Sequence, residues 1–166
     1  MTDGTHPQDD HQAPPAATWL GYGGLVPFFL PAIGLWQPAL AEFQELLFAV
    51  QFAYAAIILS FLGAVHWGRA LAGDPSSAQP TGRLVWSVTP ALFGWVLLIV
   101  PIVLPDPRLI SFGFALTFTV AYIVDLRAVR AGHFPAWYGT LRKRLTTGVL
   151  ASFILSLTAG TMLIGG

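Results

Sequence analysis

The sequence predicts an all-α fold: a polytopic membrane helix bundle of five transmembrane helices, with the N-terminus inside and the C-terminus outside. Three observations carry this expectation. The chain is 55% hydrophobic and only 10% charged, with a mean hydropathy of +0.66, too few charges to cover a water-facing surface. Its apolar residues fall in continuous runs long enough to cross about 30 Å of hydrocarbon as helices. They do not alternate with polar ones over about ten residues, as the strands of a membrane barrel would.

Residues 1–17 carry Asp3, Asp9 and Asp10, five prolines or histidines in Pro7, Pro14, Pro15, His6 and His11, and no Lys or Arg. That composition predicts a disordered tail and no cleavable export signal. Residues 18–166 then form one bundle, with spans expected at about 19–36, 46–67, 84–104, 109–126 and 145–164, each bordered by Trp or Tyr near at least one end. The first is interrupted by Pro27 and Pro31, which predicts a kinked span, with a re-entrant hairpin as the alternative. The fourth is the shortest, with sixteen uncharged residues from Leu109 to Val124.

Between spans four and five, Phe134, Trp137, Tyr138, Leu141 and Leu145 recur at helical spacing beside Arg142, Lys143 and Arg144. The pattern predicts an interfacial amphipathic helix at about 134–145. Five spans place Arg69, Arg83, Arg127, Arg130, Arg142, Lys143 and Arg144 on one side and only Arg108 on the other. Basic loops stay inside, which sets the orientation.

With little hydrophobic drive between helices in lipid, close packing needs small residues on one face. Ala49, Ala53, Ala56, Ser60 and Gly63 supply such a stripe on the second span, and Gly148, Ser152, Ser156 and Gly160 on the last. The stripes suit packing within the bundle, or a seam for a second copy or a membrane partner.

Chemistry-bearing residues are few. His66, Trp67 and Arg69 end the second span, Arg83 opens the third and Asp125 closes the fourth, so they are expected to gather at the inner membrane surface. With Trp137, Tyr138 and Arg142 they form the candidate ligand- or lipid-binding set. There they would take an anionic head group or fix the bundle by ion pairing. No catalytic residue can be named. The chain has no Cys, and His66 is the one histidine bordering an apolar run, so no metal site and no cofactor is expected. The formal net charge is zero, which gives no reason to expect nucleic acid as a partner.

Three stretches carry a resemblance: Leu20-Gly21-Tyr22-Gly23-Gly24-Leu25-Val26-Pro27-Phe28; then Tyr54 and Ile58-Leu59-Ser60-Phe61-Leu62-Gly63 to His66-Trp67-Gly68; then Trp137-Tyr138 with Leu141-Arg142 and Leu145-Thr146. The chain resembles the uncharacterised membrane proteins of domain-of-unknown-function family 3429, the transmembrane protein 69-like family. The resemblance implies a multi-pass protein of the bacterial inner membrane, or of the mitochondrial inner membrane in a eukaryote, and it assigns no activity. Three functions remain open. The first is a non-enzymatic accessory or assembly component acting through helix and lipid contacts. The second is a binder or carrier of a small amphipathic molecule such as a quinone or lipid. The third is an intramembrane enzyme, and the balance leans against it because no nucleophile can be named.

Overall fold

The computed structural model describes residues 12–72 and 81–164, and for 160–164 the backbone alone. Residues 1–11, the connection around Gly73 and the two C-terminal glycines lie outside that description, as do the surroundings of Gly160. The elements are α1 (Pro15–Gly23), α2 (Val26–Gly34), a short 3-10 segment (Pro38–Phe43), α3 (Gln44–Leu71), α4 (Thr81–Val103), α5 (Pro107–Arg130) and α6 (Ala136–Ile164). The described residues are all-helical, without a strand. Four stretches among them are long and apolar enough to cross a membrane: Pro15–Gly34, Pro38–Leu71, Thr81–Val103 and Pro107–Arg130. The structure is a helical membrane bundle of multi-pass type.

Two boundaries correct the sequence expectation. α1 already begins at Pro15, inside the stretch 1–17 expected to be disordered, at a position where the fixed φ of proline suits the first helical turn. The expected interfacial helix at 134–145 is not separate: residues 136–145 are the first turns of α6, which runs unbroken to Ile164. Pro135 precedes that helix, and nothing after it removes a backbone donor.

The first span is broken between α1 and α2. Pro27 has no N–H, and the Phe28 amide donates to the Leu25 carbonyl rather than to Gly24, which would leave a carbonyl unpaired in apolar surroundings. The Tyr54 hydroxyl donates to that Gly24 carbonyl at 3.1 Å. Leu25 then fits against Gly148, where a Cβ would lie 2.8 Å from its methyl group.

α5 begins at a well-formed cap. The Asp106 carboxylate accepts from the Arg108 amide at 2.8 Å, with Pro107 in the first turn. Its 24 residues rise about 36 Å, so the fourth span reaches across once Asp125 is carried inside the bundle.

α3 packs along α4, and α5 along α6 and α4, while α2 fits between α3 and α6. The centre is aromatic. Phe52 stacks on Phe114 at 5.6 Å and Phe114 on Phe153 at 6.2 Å, and Phe28 meets Tyr54 edge-on at 5.0 Å. Offset and edge-to-face contacts of this kind suit ring quadrupoles.

Beside this cluster Gln51, fully buried, donates to the Phe28 carbonyl at 3.2 Å and accepts from the Ser156 hydroxyl at 2.8 Å. The amide ties α3 to α2 and α6 inside the core.

The small-residue stripes divide. On α6, Ser152 and Ser156 are fully buried and Gly148 receives Leu25. On α3 only Ala56 and Gly63 are buried, against Gly94 and Ser87 of α4. Ala49, Ala53 and Ser60 face outward, so the expected α3 groove is not one continuous seam.

Candidate functional site

Three helices converge on Asp125. It lies five residues before the end of α5, about 7.5 Å along the axis, and is 2% exposed. His66, near the end of α3, donates from Nε2 to Asp125 Oδ1 at 2.8 Å. Arg142, in the second turn of α6, donates from Nε to Asp125 Oδ2 at 2.6 Å. The Tyr138 hydroxyl stands 3.5 Å from the same oxygen, one turn before Arg142 on the same face. A carboxylate buried this deeply is tolerable only when paired and hydrogen-bonded.

Arg142 is itself buried, and its Nη2 has no hydrogen-bond partner. Thr146, one turn further along α6, is also buried, with an unpartnered Oγ1.

A second tier sits outside the first. α5 ends in Gly132 at φ 74°, where the left-handed turn suits glycine. The Gly132 amide donates to Val129 and the His133 amide to Ala128, a Schellman closure that turns the chain back over the helix end. His133 is thereby presented to two arginines. Arg69 Nε donates to its carbonyl at 3.0 Å, and Arg83 Nη2 donates to its Nε2 at 2.8 Å. Phe134 follows and lies edge-on to the His66 ring at 5.2 Å.

Loss of water around the ring, then the charges of Arg83, Arg69 and His66, hold the His133 pKa below the usual 6.5. The unfolded chain therefore takes up this proton more readily than the folded one, and the contribution of His133 to stability falls as pH drops below about 6.5. Thermal unfolding in detergent between pH 8 and 5.5 should show a lower melting temperature on the acid side, and a smaller drop in His133→Gln.

A cavity of about 330 Å3 opens between α1, α3 and α6, with Phe28 of α2 and Phe118 of α5 also in its lining. Its wall is apolar except near the start of α6, where Trp137, Tyr138 and Arg142 meet it. Leu20 and Phe61 on its rim are mostly exposed, so it opens sideways to the surrounding lipid. Gly21 lets α1 and α6 meet there; a Cβ at that position would stand 3.0 Å from Leu145.

The expected cluster of His66, Arg69, Arg83 and Asp125 is thus two tiers. His66 and Asp125 pair directly, whereas Arg69 and Arg83 bind His133, and the cation on Asp125 is Arg142. Trp67 is 44% exposed and takes no part in either tier, while Trp137 and Tyr138 join Arg142 at the groove. Two residues of these networks are not among those the sequence singles out: His133, in a polar connection, and Gln51. The amide at position 51 stands alone in an apolar run, which was signal enough for an interhelical hydrogen bond. Among the described residues no three His, Asp or Glu side chains converge as metal ligands would.

The bundle and its buried ion triad define a multi-pass helical membrane protein. The chain belongs to the family described as protein of unknown function (DUF3429), whose model matches residues 13–158. It is 32% identical over 148 residues to transmembrane protein 69 of Xenopus tropicalis, an alignment covering 87% of this chain and 54% of that protein. The chain thus spans about half the length of that curated relative. No solved structure matches it.

Proposed function

We propose that the protein is a non-catalytic accessory component of its membrane, which holds a small amphipathic molecule in the groove between α1, α3 and α6. The observation that carries this reading is the groove itself. Ligand sites are apolar concavities of about 300–1,000 Å3 with a few convergent polar groups, and this one combines 330 Å3 of mainly apolar lining with Tyr138 and Arg142 at one end. The broken first span supports it, since α1 rests mainly on α6 and can yield to an entering chain.

Native mass spectrometry of gently extracted protein should find one defined amphiphile on the wild type. Ile58→Trp, which fills the groove from α3, should hold it at least about tenfold more weakly, the scale of one overpacking clash. The same bulk phospholipid on both proteins would overturn the reading.

The proposed topology is five spans, with α1 and α2 forming one broken crossing and α6 the last. The end bearing Arg69, Arg83, Arg127, Arg130 and Lys143 faces the cytoplasm of a bacterium, or the matrix if the membrane is mitochondrial. Anionic lipid head groups would gather at that end, and the exposed Ala49, Ala53 and Ser60 side of α3 is where a second copy or a membrane partner would pack. Because the chain has no Cys, single reporters test the orientation cleanly. Arg130→Cys should react only with a thiol reagent supplied from inside and Glu42→Cys only with one supplied from outside.

A further inference from the structure

We infer that the groove takes a single-chain amphiphile with an anionic oxygen head, a carboxylate or a phosphate monoester, and that Arg142 receives that head. This rests on the groove being a ligand site and narrows what it binds.

Arg142 lines the groove and is 5% exposed. Asp125 occupies its Nε, and its Nη2 is left without a partner. A buried guanidinium N–H that meets no acceptor is unfavourable, and Arg142 is one of the few polar residues in the lining of the groove. Thr146, one turn on along α6, is also buried with an unpartnered Oγ1, but it stands behind the groove wall rather than in it. A guanidinium N–H without an acceptor calls for a group that is acceptor-rich. The planar guanidinium suits carboxylate and phosphate oxygens.

Charge argues the same way. Asp125 faces Arg142 from α5 and His66 faces Asp125 from α3, while Arg69, Arg83, Arg127 and Lys143 surround that end of the bundle. Asp125 is the one acidic side chain there among the described residues, so a second anion enters a positive field.

The rest of the ligand follows from the volume and the walls. At 330 Å3 the space is at the small end of ligand pockets, which fits one hydrocarbon chain rather than two. Its lipid-side rim at Leu20 and Phe61 lets that chain run out into the bilayer.

The test uses the full chain in phosphatidylcholine nanodiscs. An equimolar mixture of palmitate, 1-palmitoyl lysophosphatidate, hexadecanol and methyl palmitate is presented, and the adducts are read by native mass spectrometry. At least one of the two anions should exceed hexadecanol and the ester about tenfold in occupancy, as a charge-assisted hydrogen bond would give. The stronger of the two distinguishes carboxylate from phosphate.

Arg142→Lys keeps a cation for Asp125 but loses the fork, and it should shrink the preference several-fold while hexadecanol binding stays. Equal occupancy by anions and hexadecanol, with both lost in Ile58→Trp, would overturn the anionic head and leave the groove as a ligand site. Anion adducts that survive Ile58→Trp undiminished would place them elsewhere and overturn the inference. Retention of none of the four would end the ligand-site reading, and the inference with it. The wild-type comparison decides even if a variant fails to fold.

Discussion

Asp125→Leu is expected to be the most damaging single change at the polar end of the bundle, lowering stability by about 3–5 kcal/mol, the usual cost of stripping one partner from a buried ion pair. The carboxylate accepts from Arg142 at 2.6 Å and from His66 at 2.8 Å, with all three side chains nearly sealed from solvent. Without it, Arg142 keeps its charge in a low-dielectric site with no counterion. It must stay there uncompensated or pull the start of α6 outward. Thermal unfolding in detergent should show the loss, along with a fraction that no longer elutes as a single species.

The double variant Asp125→Leu/Arg142→Met separates two roles for the triad. If the ions serve only to balance each other, replacing both with apolar groups of similar size should recover stability, since well-packed apolar substitutes for buried ion pairs are often neutral or better. The preference for the anionic amphiphile over hexadecanol should nonetheless be lost in the double variant, because the receiving guanidinium is gone. A double variant that remains as unstable as Asp125→Leu would show that the damage comes from packing rather than from unpaired charge.

Much of this molecule was legible in its sequence, for reasons tied to the solvent it occupies. In lipid the backbone must satisfy itself, so a continuous apolar run reads as a helix with little ambiguity. The helices α3, α4 and α5 are found where those runs lie. His66 and Asp125 were legible as neighbours, because each closes its run at the same end of the bundle.

Arg142 was harder to place. Its neighbours Lys143 and Arg144, together with Trp137 and Tyr138, look like a surface helix, and that local pattern is satisfied equally by the opening turns of a long α6. Only the tertiary register, which turns Arg142 inward and leaves Lys143 and Arg144 exposed, distinguishes the two. The stripe on α3 failed for a related reason. Four- and three-residue spacing marks one face of a helix without saying which neighbour meets it. Ala56 and Gly63 meet α4, while Ala49, Ala53 and Ser60 do not. The arginines on His133 were hidden by the chain reversal at Gly132, whose left-handed turn carries the imidazole back over two helix ends.

Gly63→Leu should separate α3 from α4, and it tests a contact made by backbone rather than by charge. A Cβ on Gly63 would overlap the Ser87 carbonyl oxygen, and a carbonyl held in a helix cannot step aside as a flexible side chain can. Pro90, which lies inside α4, comes within 3.6 Å of the same point. Two turns toward the other end of α3, Gly94 repeats the arrangement from the opposite helix, with Ala56 Cα 3.1 Å from where its Cβ would stand. The two helices therefore touch through small residues on alternating sides, the way membrane helices gain dispersion contacts when lipid offers no hydrophobic drive. Overpacking a core costs about 1–3 kcal/mol when side chains can adjust. Here they cannot, and the expected loss is at or above the top of that range. Gly63→Ala should already show a substantial part of it. Ala53→Leu, on the outward side of the same helix, should leave the melting temperature unchanged. Equal stability of Gly63→Leu and Ala53→Leu in detergent would mean that α3 and α4 are not in contact along this face.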